Sequence, residues 1–223
     1  WRDAGRALFA SSATHLYGNG LLILVKVLVA SLVMLALLIA LPLWMWRGST
    51  AMSTARLGSD LAYVTCIGLG FMFLELAFIQ RLLSYLGQPT YTLTAVLFVL
   101  LVGGGAGSWA SSRLGASAVG RVFVVLIAYC TVLALLWPSI ADATVALAPL
   151  WRCAVVAALL LPLGALLGVP LPSALSRIAV RHEQRIPWLW GINSAGSVLG
   201  SVVATLVSMH FGIATSWLLG MLL

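Results

Sequence analysis

The stretch on which the fold turns is residues 21–46, LLILVKVLVASLVMLALLIALPLWMW, broken only by Lys26 and by Pro42 near its end. As one helix it would rise ~39 Å at 1.5 Å per residue, enough to cross the ~30 Å hydrocarbon core of a bilayer. It has no polar face at helical or strand spacing, so in water its outer side would have nothing to face. Residues 188–210, WLWGINSAGSVLGSVVATLVSMH, repeat the pattern.

Working outward, similar runs occupy about 61–82, 91–109, 122–137 and 152–169, and a further one begins near Ile213. The sequence therefore predicts an all-α, polytopic membrane helix bundle of about seven transmembrane helices. The last is incomplete, because residues 213–223 span ~16 Å, half the hydrocarbon thickness. Gly87, Gln88 and Pro89 form a tight turn that makes the second and third spans antiparallel neighbours. Residues 138–150 read as a loop kept out of lipid by Asp142. Pro170 and Pro172 end the fifth span, and residues 177–185 read as a basic loop. Residues 1–19 read as an interfacial helix with Trp1, Ala4, Leu8 and Phe9 near one face; residues 20–223 form the transmembrane domain.

Composition agrees. Hydrophobic residues make up 62% of the 223 and charged ones 8%, against roughly 25% charged in a soluble domain. The net charge of +7 does not mark a nucleic-acid partner, because the basic residues are dispersed through the gaps between apolar runs. The loops after the first, third and fifth spans carry seven of the twelve basic residues, including Arg47, Arg56, Arg113, Arg121, Arg177, Arg181 and Arg185; the other end has four. The richer end is expected to be cytoplasmic. Trp44, Trp46, Trp109, Trp188 and Trp190 fall at that end and Trp137 and Trp151 at the other, as aromatic belts do.

Lys26 and Glu75 lie well inside predicted spans, where ionisable groups are costly enough that function is sought there first. Each lies about six residues from the same surface, ~9 Å deep, which predicts that they meet or share a polar cluster with Gln80, Arg81 and His210. That cluster reads either as a proton or substrate relay or as a register-fixing ion pair.

Gly103, Gly104, Gly105 and Gly107 mimic a dinucleotide-binding turn, but no acidic residue follows about twenty positions on. They read as helix-packing positions, as do Gly196, Gly200 and Ala204. Cys66, Cys130 and Cys153 lack metal-ligand spacing, and His15, His182 and His210 are scattered, so neither a metal nor a cofactor is expected. No serine lies in a nucleophile-elbow context. No signal peptide is legible ahead of the first span.

Three stretches together carry a resemblance: Glu75-Leu-Ala-Phe-Ile-Gln-Arg81 through Leu86-Gly-Gln-Pro-Thr-Tyr91 to Gly107, Leu161-Pro-Leu-Gly164 through Gly168-Val-Pro-Leu-Pro172, and Pro187-Trp-Leu-Trp-Gly-Ile-Asn193 through Gly200. This pattern resembles the carboxy-terminal membrane half of bacterial spermidine-synthase-like integral membrane proteins. The resemblance implies a bacterial inner-membrane location. It also implies a soluble aminopropyltransferase-like domain elsewhere in such proteins, where the catalytic carboxylates would lie. The expected function is therefore a non-catalytic membrane scaffold, anchor or accessory subunit, with the lipid bilayer and other membrane subunits as partners. The alternative is a transporter or channel for a small cationic solute lined by Glu75.

Overall fold

The computed structural model describes residues 22–37 and 57–223. The expected interfacial helix over 1–19, and Trp44 and Trp46, lie outside the described residues. Helix α1 (Leu22–Leu35) begins the first expected span, and its Leu22, Ile23, Val29 and Met34 are exposed.

Helix α2 (Leu57–Leu86) opens with Asp60 in its first turn, where the helix dipole favours an acid. It stops at Gly87, whose φ of 79° is open to glycine at no steric cost. Gln88 is extended, and Pro89 then starts α3 (Pro89–Ser111), its fixed φ suiting a first helical position.

Helix α4 (Ala116–Thr144) runs on through Pro138 and Asp142, so the expected loop over 138–150 is largely helix. Asp142 is exposed near the helix end, where helical structure and hydration are compatible. The Thr144 hydroxyl donates to the Ile140 carbonyl at 2.6 Å, a local side-chain bond at the helix end.

Helix α5 (Pro149–Leu167) is followed almost at once by α6 (Pro170–His182), a 3-10 turn at Glu183–Arg185, α7 (Ile186–Phe211) and α8 (Ile213–Leu222). The basic segment expected as a loop is thus mostly helical. Helix α5 ends at Leu167, just before these prolines, as expected; Pro170 and Pro172 then occupy the first turn of α6, where amide donors have no intrahelical partner anyway. Gly212 joins α7 to α8 at φ 87° and ψ 162°, a conformation essentially reserved for glycine.

The bundle is organised by two parallel helix pairs. Gly196 of α7 approaches Thr65 of α2, and Gly200 approaches Leu69 and Met72 one turn further on, so both chains advance together. Gly103 of α3 faces Leu161 and Gly164 of α5, and Gly107 faces Ala165, again in the same sense. Helix α8 runs against α2, with Gly220 beside Leu74 and Trp217 beside Phe78. The main core lies between these pairs, around Leu74, Phe78, Leu100, Leu160, Leu163 and Trp217. A smaller cluster of Val64, Leu175 and Leu189 docks α6 onto the first turns of α2 and α7.

This is an all-α helical bundle in which, among the described residues, five helices are long and apolar enough to cross a membrane. Phe98, Leu101, Val124 and Leu135 point outward at 65–73% exposure, the inverse of a water-soluble surface.

Candidate functional site

The expected meeting of Lys26 and Glu75 is not seen. Lys26 is exposed on α1, Glu75 is 7% exposed on α2, and no ion pair joins them among the described residues. Matching depth along two helices does not make them neighbours, because α2 gives its surface to α7 and α8. Glu75 lies one turn beyond Met72, whose side chain meets Gly200 of α7. His210 is exposed at the end of α7, its Nδ1 3.1 Å from the Leu206 carbonyl. The buried Gln80 Oε1 has no hydrogen-bond donor.

Arg81 instead belongs to a different group. Its guanidinium lies 5.2 Å from the centre of the Trp217 ring, a cation–π distance. The two border a narrow crevice, apolar over its open surface, with Phe78, Leu82, Leu133 and Trp137, between α2, α4, α5 and α8. Trp137, expected in the interfacial belt, turns inward and meets Tyr85 edge-on at 5.3 Å. The Tyr85 hydroxyl pairs with Thr144 Oγ1 at 2.8 Å, and Arg152 donates to the Tyr85 carbonyl at 2.7 Å and to Leu147 at 3.1 Å. One end of the bundle thus carries two arginines set among aromatic rings.

Sequence reasoning placed Arg81 near a functional face but missed Tyr85, Thr144, Arg152 and Trp217. The available signal was positional: Arg81, Tyr85 and Arg152 all flank short connections at the same end of the spans.

At the opposite end, Arg185 is buried and its Nη1 lies 3.5 Å from Asp60 Oδ2. Their pairing ties the start of α2 to the start of α7.

The glycines divide by face. At Gly103 an added Cβ would come within 2.5 Å of the Leu161 carbonyl, and at Gly107 it would overlap Ala165. Gly104 is the close neighbour of Gly168, and Gly196 and Gly200 sit against α2. Gly105, expected to pack with the others, faces open space because it lies on the outward side of α3. The Ser197 hydroxyl adds an interhelical bond to the Gly68 carbonyl at 3.4 Å. These small residues bring backbones close within the chain itself, where dispersion between helices replaces the hydrophobic effect that lipid does not provide.

Among the described residues, no three His, Cys, Asp or Glu side chains converge as metal ligands. No family model, curated protein or solved structure matches the chain.

Proposed function

We propose that this protein is a non-catalytic membrane scaffold or accessory subunit that joins a second membrane-spanning chain in the bacterial inner membrane. The observation that carries the reading is the outward face of α3. Phe98, Leu101, Val102 and Trp109 are all exposed, and Gly105 sits among them with open space over its Cα. These positions recur at three, four, seven and eleven residues, forming an apolar ridge with a notch that a partner helix could enter. The inward glycines of α3 are already engaged with α5, so the outward notch is not needed to hold the bundle together.

The spermidine-synthase-like resemblance supports the anchor version of this role, in which the partner element carries a soluble domain. The test is extraction from native membranes in mild detergent, followed by particle mass and mass-spectrometric identification of co-migrating chains. A stoichiometric partner that is lost in Gly105→Leu, with the bundle still folded, is the expected result. A lone monomeric particle with no attached domain would overturn the proposal.

The second reading is a transporter for a small cationic solute, and burial of Glu75 is what favours it. Glu75→Gln would then abolish uptake in vesicles without unfolding the bundle. Unchanged uptake, or none in the wild type, would remove this reading.

A further inference from the structure

We infer that the end of the bundle carrying Arg113, Arg121 and Arg177 binds the headgroups of anionic phospholipids in preference to zwitterionic ones. The two ends of the bundle use their arginines differently. At the opposite end Arg81 lies over the Trp217 ring, and Arg152 donates to the carbonyls of Tyr85 and Leu147, so both are engaged within the chain. Arg113, Arg121 and Arg177 are all exposed, and none of them forms an ion pair among the described residues. Arg177 spends one N–H of its fork, Nε, on the Ser173 carbonyl at 3.0 Å. Of the acids described at this end, Asp60 already pairs with the buried Arg185, and Glu183 is exposed. A surplus of positive charge therefore remains on the surface.

These arginines sit close to one depth. Gly104 touches Gly168, and Leu167 and Pro170 line a crevice together with Cys66 of α2 and Phe123 of α4, which sets those positions level. Tyr63, three residues outward from Cys66, meets the Phe123 ring edge-on at 6.3 Å. Arg121 stands two residues outward from Phe123, and Arg177 stands between Leu175 and Ile178, which pack with Val64 and Tyr63.

That depth is the membrane boundary. Trp109 lies five residues outward from Gly104, ~7.5 Å along α3. It is 65% exposed on the same side of the helix as Phe98, where an indole settles at the edge of the hydrocarbon. The Arg113 guanidinium lies over that indole, 4.1 Å from the ring centre, which holds a cation at headgroup level. Trp190 and Val180 are also exposed at this end. Apolar and aromatic side chains interleaved with arginines fit a lipid headgroup layer, whereas the surface of a soluble acidic protein would leave them in water.

The full chain is reconstituted in phosphatidylcholine vesicles that contain a trace of spin-labelled phosphatidylglycerol or spin-labelled phosphatidylcholine. The motionally restricted fraction of each label is read by electron paramagnetic resonance. Phosphatidylglycerol should associate about threefold or more over phosphatidylcholine, with the preference shrinking as salt is raised. The triple variant Arg113→Gln, Arg121→Gln, Arg177→Gln should bring the ratio close to one, and the corresponding triple lysine variant, which keeps the charge, should retain it. Equal association of the two lipids with the wild type would leave this face to an acidic protein and overturn the inference. So would an undiminished preference in a folded glutamine variant, or a lysine variant that loses the preference as fully as the glutamine one.

Discussion

Gly107→Ala tests the packing of the bundle most directly, because its control lies two residues away. At Gly107 a Cβ would overlap the Ala165 carbonyl oxygen and lie 2.8 Å from its carbon and 3.0 Å from its Cα. Contact begins near 3.4 Å, and every obstructing atom is backbone, so no rotamer change can relieve it. To clear the carbonyl oxygen the α3 and α5 backbones must part locally by roughly 1–1.5 Å, and a gap of that size forfeits about half or more of each dispersion well along the seam. Overpacking of this kind costs about 1–3 kcal/mol. At Gly105 the same methyl meets nothing within 4 Å, so Gly105→Ala should be neutral or stabilising by up to about 1 kcal/mol through helix propensity. Both variants would be unfolded reversibly in mixed micelles of increasing denaturing-detergent fraction, with helicity and tryptophan emission followed together. Equal stability of the two variants would refute the assignment of Gly107 to the α3–α5 contact.

Other substitutions probe the polar and conformational contacts. Asp60→Asn should destabilise the bundle by about 1.5–3 kcal/mol, because the buried Arg185 guanidinium loses a charged partner; the same unfolding assay measures it, and no loss would mean that the 3.5 Å pair contributes nothing. Tyr85→Phe removes the 2.8 Å bond to Thr144 while keeping the ring against Trp137, for an expected loss of about 1 kcal/mol; a loss of several kcal/mol would point to a larger network. Gly212→Ala forces a side chain into the backbone conformation at φ 87°, ψ 162° and should cost about 1–3 kcal/mol, with protease sensitivity rising at the α7–α8 joint. Lys26→Met should leave bundle stability within about 0.5 kcal/mol, since Lys26 is exposed and makes no ion pair among the described residues.

Amino-acid order alone determined the all-α class and the placement of most spans. Apolar runs of span length admit few other structures once water is excluded, and each helix satisfies its own backbone without help from its neighbours. It also marked Gly103, Gly107, Gly196 and Gly200 as contact positions, because a missing side chain is legible without knowing what fills the gap. It misplaced Gly105, since four glycines in five positions do not say which side of the helix faces in. Pro170 and Pro172 marked where α5 stops, but that they also open a further helix was not legible in them alone.

Partnerships were decided by tertiary structure. The lipid-facing and protein-facing sides of a membrane helix are both apolar, so the amphipathic stripe that orients a helix in water is absent. Equal depth put Lys26 beside Glu75 on paper, whereas the parallel seating of α2 on α7, set by Gly196 and Gly200, buried Glu75 without Lys26. Contacts of α2 with α4, α5 and α8 gathered Arg81, Tyr85, Trp137, Arg152 and Trp217 from four helices at one end of the bundle, an arrangement that arises from which helices touch and that sequence spacing does not record.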